Sequence, residues 1–101
     1  MKVISLIDTY GELLTDKQLT IIKSYYFDNL TLSEIAECHN ISRQAVRDSL
    51  SQSIRILNDY ENKLLFIKKS KDLQVILNEM NNLTEDKNLT EKINKCLDLL
   101  N

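Results

Sequence analysis

The chain has 101 residues, 43% of them hydrophobic and 28% charged, which suits one globular domain and argues against disorder or a two-domain enzyme. Proline is absent and glycine occurs once, at Gly11, against 17 Leu and 11 Ile; tight turns lean on Gly and Pro, so the expected fold class is all-α. The formal net charge of −2 rules out a global basic field, and any nucleic-acid site has to be local.

In chain order, Val3, Ile4, Leu6, Ile7, Tyr10, Leu13 and Leu14 carry the spacing of a helix face. Asp8 cuts the opening apolar stretch, which argues against a signal peptide. Thr15 followed by Gln18 forms a capping-box pattern, with Asp16 favouring the positive helix start. The helix it opens is expected to reach Asp28, with Leu19, Ile22 and Tyr26 inward, before a break at Asp28-Asn29-Leu30. Thr31 and Glu34 form a second capping box, opening a short helix with Leu32, Ile35 and Ala36.

After His39, Asn40 and Ile41, Ser42 is the third N-cap. The apolar positions Val46, Leu50, Ile54, Leu57, Tyr60, Leu64 and Ile67 then repeat with a mean period of about 3.5 residues, predicting one long helix with a coiled-coil-like seam. That register fails at Lys71, where a new face begins with Leu73, Ile76, Leu77 and Met80. The expected division is therefore a core over 1–71 and a helical extension over 72–101 packing on the same domain, its last helix running from Leu89 to Leu100. The longest unbroken apolar run, Leu64 to Ile67, is too short for a membrane span. Cys38 and Cys96, without a leader, read as reduced thiols of a cytoplasmic protein.

Residues 31–50, TLSEIAECHNISRQAVRDSL, have the grammar of a helix-turn-helix. Ala36 is small enough for two helices to cross closely, and Asn40 tolerates the left-handed backbone that the turn requires. Ile41 plugs the turn, Ser42 caps the second helix, and Val46 and Leu50 anchor it. With Val46 inward, a helical wheel puts Gln44, Asp48, Ser51 and Arg55 on the opposite face, Arg47 on its flank and Arg43 at the start. A helix-turn-helix presents such a face to the major groove, where Arg pairs with guanine and Gln with adenine. The expected nucleic-acid contacts are Ser42, Arg43, Gln44, Arg47, Ser51 and Arg55.

Charge placement bears on that reading. Residues 42–71 hold seven cations and three anions, whereas 1–41 and 72–101 each hold three cations and six anions. Asp48 speaks against phosphate contact on the same face. His39 is the only histidine, and its neighbour Cys38 belongs to no second ligand cluster, so no metal, cofactor or catalytic residue is expected. Tyr10, Tyr25, Tyr26 and Phe27 read as core and rim rather than as base-stacking platforms.

Tyr10-Gly11-Glu12-Leu13-Leu14-Thr15-Asp16-Lys17-Gln18, then Tyr25-Tyr26, Leu32-Ser33-Glu34-Ile35-Ala36-Glu37 and Ser42-Arg43-Gln44-Ala45-Val46-Arg47-Asp48, resemble the YlxM-like proteins over about residues 3–68. These are small bacterial helix-turn-helix proteins, related in fold to region 4 of sigma factors and lacking a wing. Their gene typically neighbours that of the signal recognition particle (SRP) protein subunit. The resemblance implies a non-enzymatic protein that takes part in or regulates SRP targeting, with SRP RNA, the SRP protein or both as partners. Two alternatives stay open: a DNA-binding transcription regulator that uses the helix from Arg43, and a pure protein-interaction module. The long seam could be covered by the C-terminal helices or by a second copy. The apolar surface left over favours a homodimer.

Overall fold

The computed structural model describes residues 2–101. Among them every regular element is helical: α1 Val3–Tyr10, a short 3-10 helix Gly11–Leu13, α2 Asp16–Tyr26, α3 Leu32–His39, α4 Arg43–Leu64, α5 Phe66–Leu83 and α6 Lys87–Leu100. No helix among the described residues is long and apolar enough to cross a membrane. The chain divides into two compact units, the first ending at Leu64 and the second spanning Leu65–Asn101.

Side-chain caps start four of the helices; at α6, Asp86 Oδ1 accepts from the Asn88 and Leu89 N–H groups at 2.9 and 3.4 Å. Thr15 Oγ1 accepts from the Gln18 N–H at 3.2 Å while Gln18 Oε1 accepts from the Thr15 N–H at 3.1 Å. Thr31 and Glu34 repeat this reciprocal pair, at 3.1 Å in both directions. Ser42 Oγ accepts from the Ala45 N–H at 3.0 Å. Each bond satisfies a donor that the first helical turn leaves without a partner.

In the first unit α4 is the common partner, packing on α1, α2 and α3. Leu6, Ile7, Tyr10, Leu14, Ile21, Ile22, Ile35, Ala36, Val46, Leu50 and Leu57 are buried. Gly11 lets the α1 end close on α2: a Cβ there would lie 3.1 Å from Leu19 Cδ1 and 3.3 Å from Ile7 Cγ2. The buried stripe of α4 is Val46, Leu50, Ser53, Leu57 and Glu61. The expected seam thus shifts after Leu50, because Ile54 and Tyr60 are only half-buried and Leu64 is exposed. The Tyr10 hydroxyl donates to Glu61 Oε1 at 2.7 Å, and the Tyr10 and Tyr60 rings stack with centroids 6.0 Å apart. A buried carboxylate is tolerable only with such partners.

The helix expected to continue to Lys71 ends at Leu64. Leu65 takes a left-handed conformation (φ 51°, ψ 30°) and α5 starts at Phe66. For a residue with a Cβ that conformation costs roughly 1–2 kcal/mol, and it turns what the apolar period predicts as one helix into two. In the second unit α5 and α6 pack together. Gln74 Nε2 donates to Asn101 Oδ1 at 3.1 Å and Asn81 Nδ2 to Asn94 Oδ1 at 3.3 Å. Early α5 therefore meets late α6, an antiparallel hairpin. Ile67 and Ile93 are its only buried apolar side chains among the described residues.

Candidate nucleic-acid interface

The turn between α3 and α4 is a Schellman motif. Asn40 adopts φ 53° and ψ 47°, its N–H donates to the Glu37 carbonyl at 3.2 Å, and the Ile41 N–H donates to the Ala36 carbonyl at 3.0 Å. Asparagine is there because its short polar side chain tolerates the left-handed region better than other residues with a Cβ. Ala36 is buried, as a close helix crossing requires, and Ile41 is half-buried. The chain thus leaves α3, reverses within three residues, and re-enters a helix at Arg43.

Val46, Leu50 and Leu57 fix the inward face of α4, which sets what the outward face can offer. Ser42, Arg43, Gln44, Arg47, Ser51 and Arg55 are all exposed. Arg43, Arg47, Ser51 and Arg55 follow one another at intervals of four, a slowly winding ridge about 18 Å long at 1.5 Å per residue. The structure brings all six expected residues onto one helix and the turn that opens it. Ser42 already uses its oxygen as a cap acceptor, leaving its hydroxyl proton to donate outward.

Gln44 is less free than the sequence reading implied. Its Nε2 donates to Asp48 Oδ1 at 2.9 Å, one turn along the exposed face. The bond masks part of the Asp48 charge and presents Gln44 in one orientation. The four-residue spacing of Gln44 and Asp48 was the available clue. Ser33, Ala36, Glu37, Asn40, Ile41 and Arg43 line a depression beside the turn. Ser33 and Glu37 bring α3 into the same surface; no pattern in the sequence singled them out.

His39 is half-buried in the last turn of α3 and Cys38 is exposed. Among the described residues no group of three or more His, Cys, Asp or Glu side chains is arranged to hold a metal ion. Tyr25 and Tyr26 meet edge to face, centroids 5.1 Å apart, with Tyr25 and Phe27 on the rim and Tyr10 in the core.

A family model described as "Putative helix-turn-helix protein, YlxM / p13 like" matches residues 1–97. The chain belongs to the UPF0122 family. It is 37% identical to UPF0122 protein YlxM of Bacillus subtilis, over 94% of this chain and 86% of that protein. To a UPF0122 protein of Bacillus pumilus it is 39% identical over the same shares, 94% and 86%. A UPF0122 protein of Malacoplasma penetrans is 56% identical across 61% of this chain and 58% of its own length. Membership in UPF0122 agrees with the α3–turn–α4 geometry: both describe a helix-turn-helix.

Proposed function

We propose that this UPF0122 protein is a non-enzymatic, cytoplasmic helix-turn-helix factor that binds nucleic acid through the outer face of α4 and takes part in or regulates SRP targeting. The observation that supports it is the exposed set Ser42, Arg43, Gln44, Arg47, Ser51 and Arg55, carried on a helix whose opposite face is locked in the core. Cations on a rigid helix neutralise phosphates without reorganising the protein. The pathway, with SRP RNA and the SRP protein as partners, rests on the resemblance to YlxM-like proteins.

A second reading, a DNA-binding transcription regulator, is favoured by the turn itself. In a helix-turn-helix the second helix lies in the major groove with its N-terminal residues at the base edges, and α4 follows α3 through such a turn with its start exposed. Fluorescence anisotropy with SRP RNA and with duplex DNA, titrated at low salt, separates the two. Tighter binding of SRP RNA supports the first reading, and tighter, sequence-dependent binding of DNA supports the second. If neither nucleic acid binds at low salt, α4 is no nucleic-acid surface and a protein-interaction role replaces both.

A further inference from the structure

The hairpin of α5 and α6 leaves much of its apolar surface uncovered. On α5, Leu73 is 49% exposed, Ile76 52%, Met80 42% and Leu83 88%. These four side chains form one stripe along the helix, next to the face that packs on α6. Leu89 and Cys96 of α6 are exposed as well. The stripe from Leu73 to Leu83 contains no charged residue. A unit of this size, below about 40 residues, rarely supplies a sufficient core of its own, and only Ile67 and Ile93 are buried in it.

We propose that the α5 stripe is the interface of a symmetric homodimer, in which α5 lies antiparallel on α5 of a second copy. Two features of the helix point to a copy of itself. The stripe is spaced 3, 4, 3, so it reads the same in both directions: with a two-fold axis at the height midway between Ile76 and Met80, Leu73 meets Leu83 of the copy and Ile76 meets Met80. The charge along α5 and the turn that follows it also reverses sign. Residues 68–72 carry Lys68, Lys69 and Lys71 with one anion, Asp72, while 79–87 carry Glu79, Glu85 and Asp86 with one cation, Lys87. Antiparallel pairing sets the basic start of each α5 beside Glu79 and the acidic turn that follows α5 of the other; parallel pairing sets like against like. The interface therefore lies on 73–83, not on the Val46–Ile67 seam that the sequence suggested, because α4 is already occupied within its own unit.

The test uses the full-length chain in sedimentation equilibrium. The wild type should approach twice 11.8 kDa at concentrations up to about 100 µM, where a dimer with a Kd of about 10 µM is mostly associated. The double variant Ile76→Glu/Met80→Glu should return the mass to 11.8 kDa with helical content retained, its Kd raised on the order of 100-fold. A second pair of variants probes orientation without touching apolar contacts. Lys69→Glu and Glu85→Lys should each weaken self-association several-fold, and mixing the two chains should favour the heterodimer. A monomeric wild type at the highest concentration overturns the proposal, even if the stripe then captures a different protein. An unchanged mass for Ile76→Glu/Met80→Glu overturns it too, as does a mixture of Lys69→Glu and Glu85→Lys with no heterodimer preference.

Discussion

The two units use apolar residues in opposite ways. Up to Leu64 a shared interior takes many of the large side chains: Leu6, Ile21, Ile22, Ile35, Val46 and Leu57 are almost wholly buried, while Ile4, Leu13, Tyr25, Phe27 and Leu64 stay at the surface. From Leu65 onward Phe66, Leu73, Val75, Ile76, Met80, Leu83, Leu89 and Leu99 are all exposed. The difference follows from geometry. Four helices can surround a shared interior, so α4 gives one face to three partners and keeps the other for solvent or ligand. Two helices have a single contact line, and every apolar residue off that line stays outside. A rigid presentation of Arg43 to Arg55 depends on the first arrangement; the second leaves apolar side chains at the surface.

The sharpest contrast comes from the same truncation in each unit. Leu57→Ala removes a fully buried side chain and should lower stability by about 2–5 kcal/mol in denaturant unfolding, a large part of a small domain's total. Leu99→Ala, at a side chain 87% exposed, should stay within about 0.5 kcal/mol. Comparable losses at both positions would break the distinction between the units.

Smaller effects test the polar part of the first core. Tyr10→Phe withdraws the hydroxyl that donates to Glu61 Oε1, and should cost about 1–3 kcal/mol with little change in volume. At the turn, Asn40→Val should lose about 1–2 kcal/mol because a β-branched residue resists the left-handed region, while Asn40→Gly should be nearly neutral. The smallest change is at Ser53, whose buried hydroxyl makes no hydrogen bond among the described residues. Ser53→Ala should be neutral or stabilise by up to about 1 kcal/mol, read as a rise in melting temperature.

The starts of α2, α3 and α4 were legible because caps are local: Thr15 with Gln18, Thr31 with Glu34, and Ser42 act within one turn of themselves. Asn40 was legible for a similar reason, since few residues suit its backbone angles. The centre of α4 was not. Apolar periodicity put Ile54 and Tyr60 on the inner stripe, yet Ser53 and Glu61 hold those places, and Glu61 does so through a residue 51 positions away in sequence. Nothing local to Glu61 announces Tyr10. The break at Leu65 was hidden too, because Leu-Leu-Phe contains neither Gly nor Asn to mark a left-handed residue. Of the candidate interface, the residue types and their common face were readable from the wheel, whereas the Gln44–Asp48 bond and the contribution of Ser33 and Glu37 needed coordinates.

The central claim is that the outer face of α4 meets phosphates, and salt dependence measures that directly. Arg43→Ala/Arg47→Ala leaves the buried face untouched, so circular dichroism and melting should be close to wild type. With the nucleic acid that the wild type binds better, the slope of log K against log salt should flatten by about 1.5 in the double variant, the equivalent of two lost phosphate contacts. An unchanged affinity and slope in a folded Arg43→Ala/Arg47→Ala protein would contradict the account.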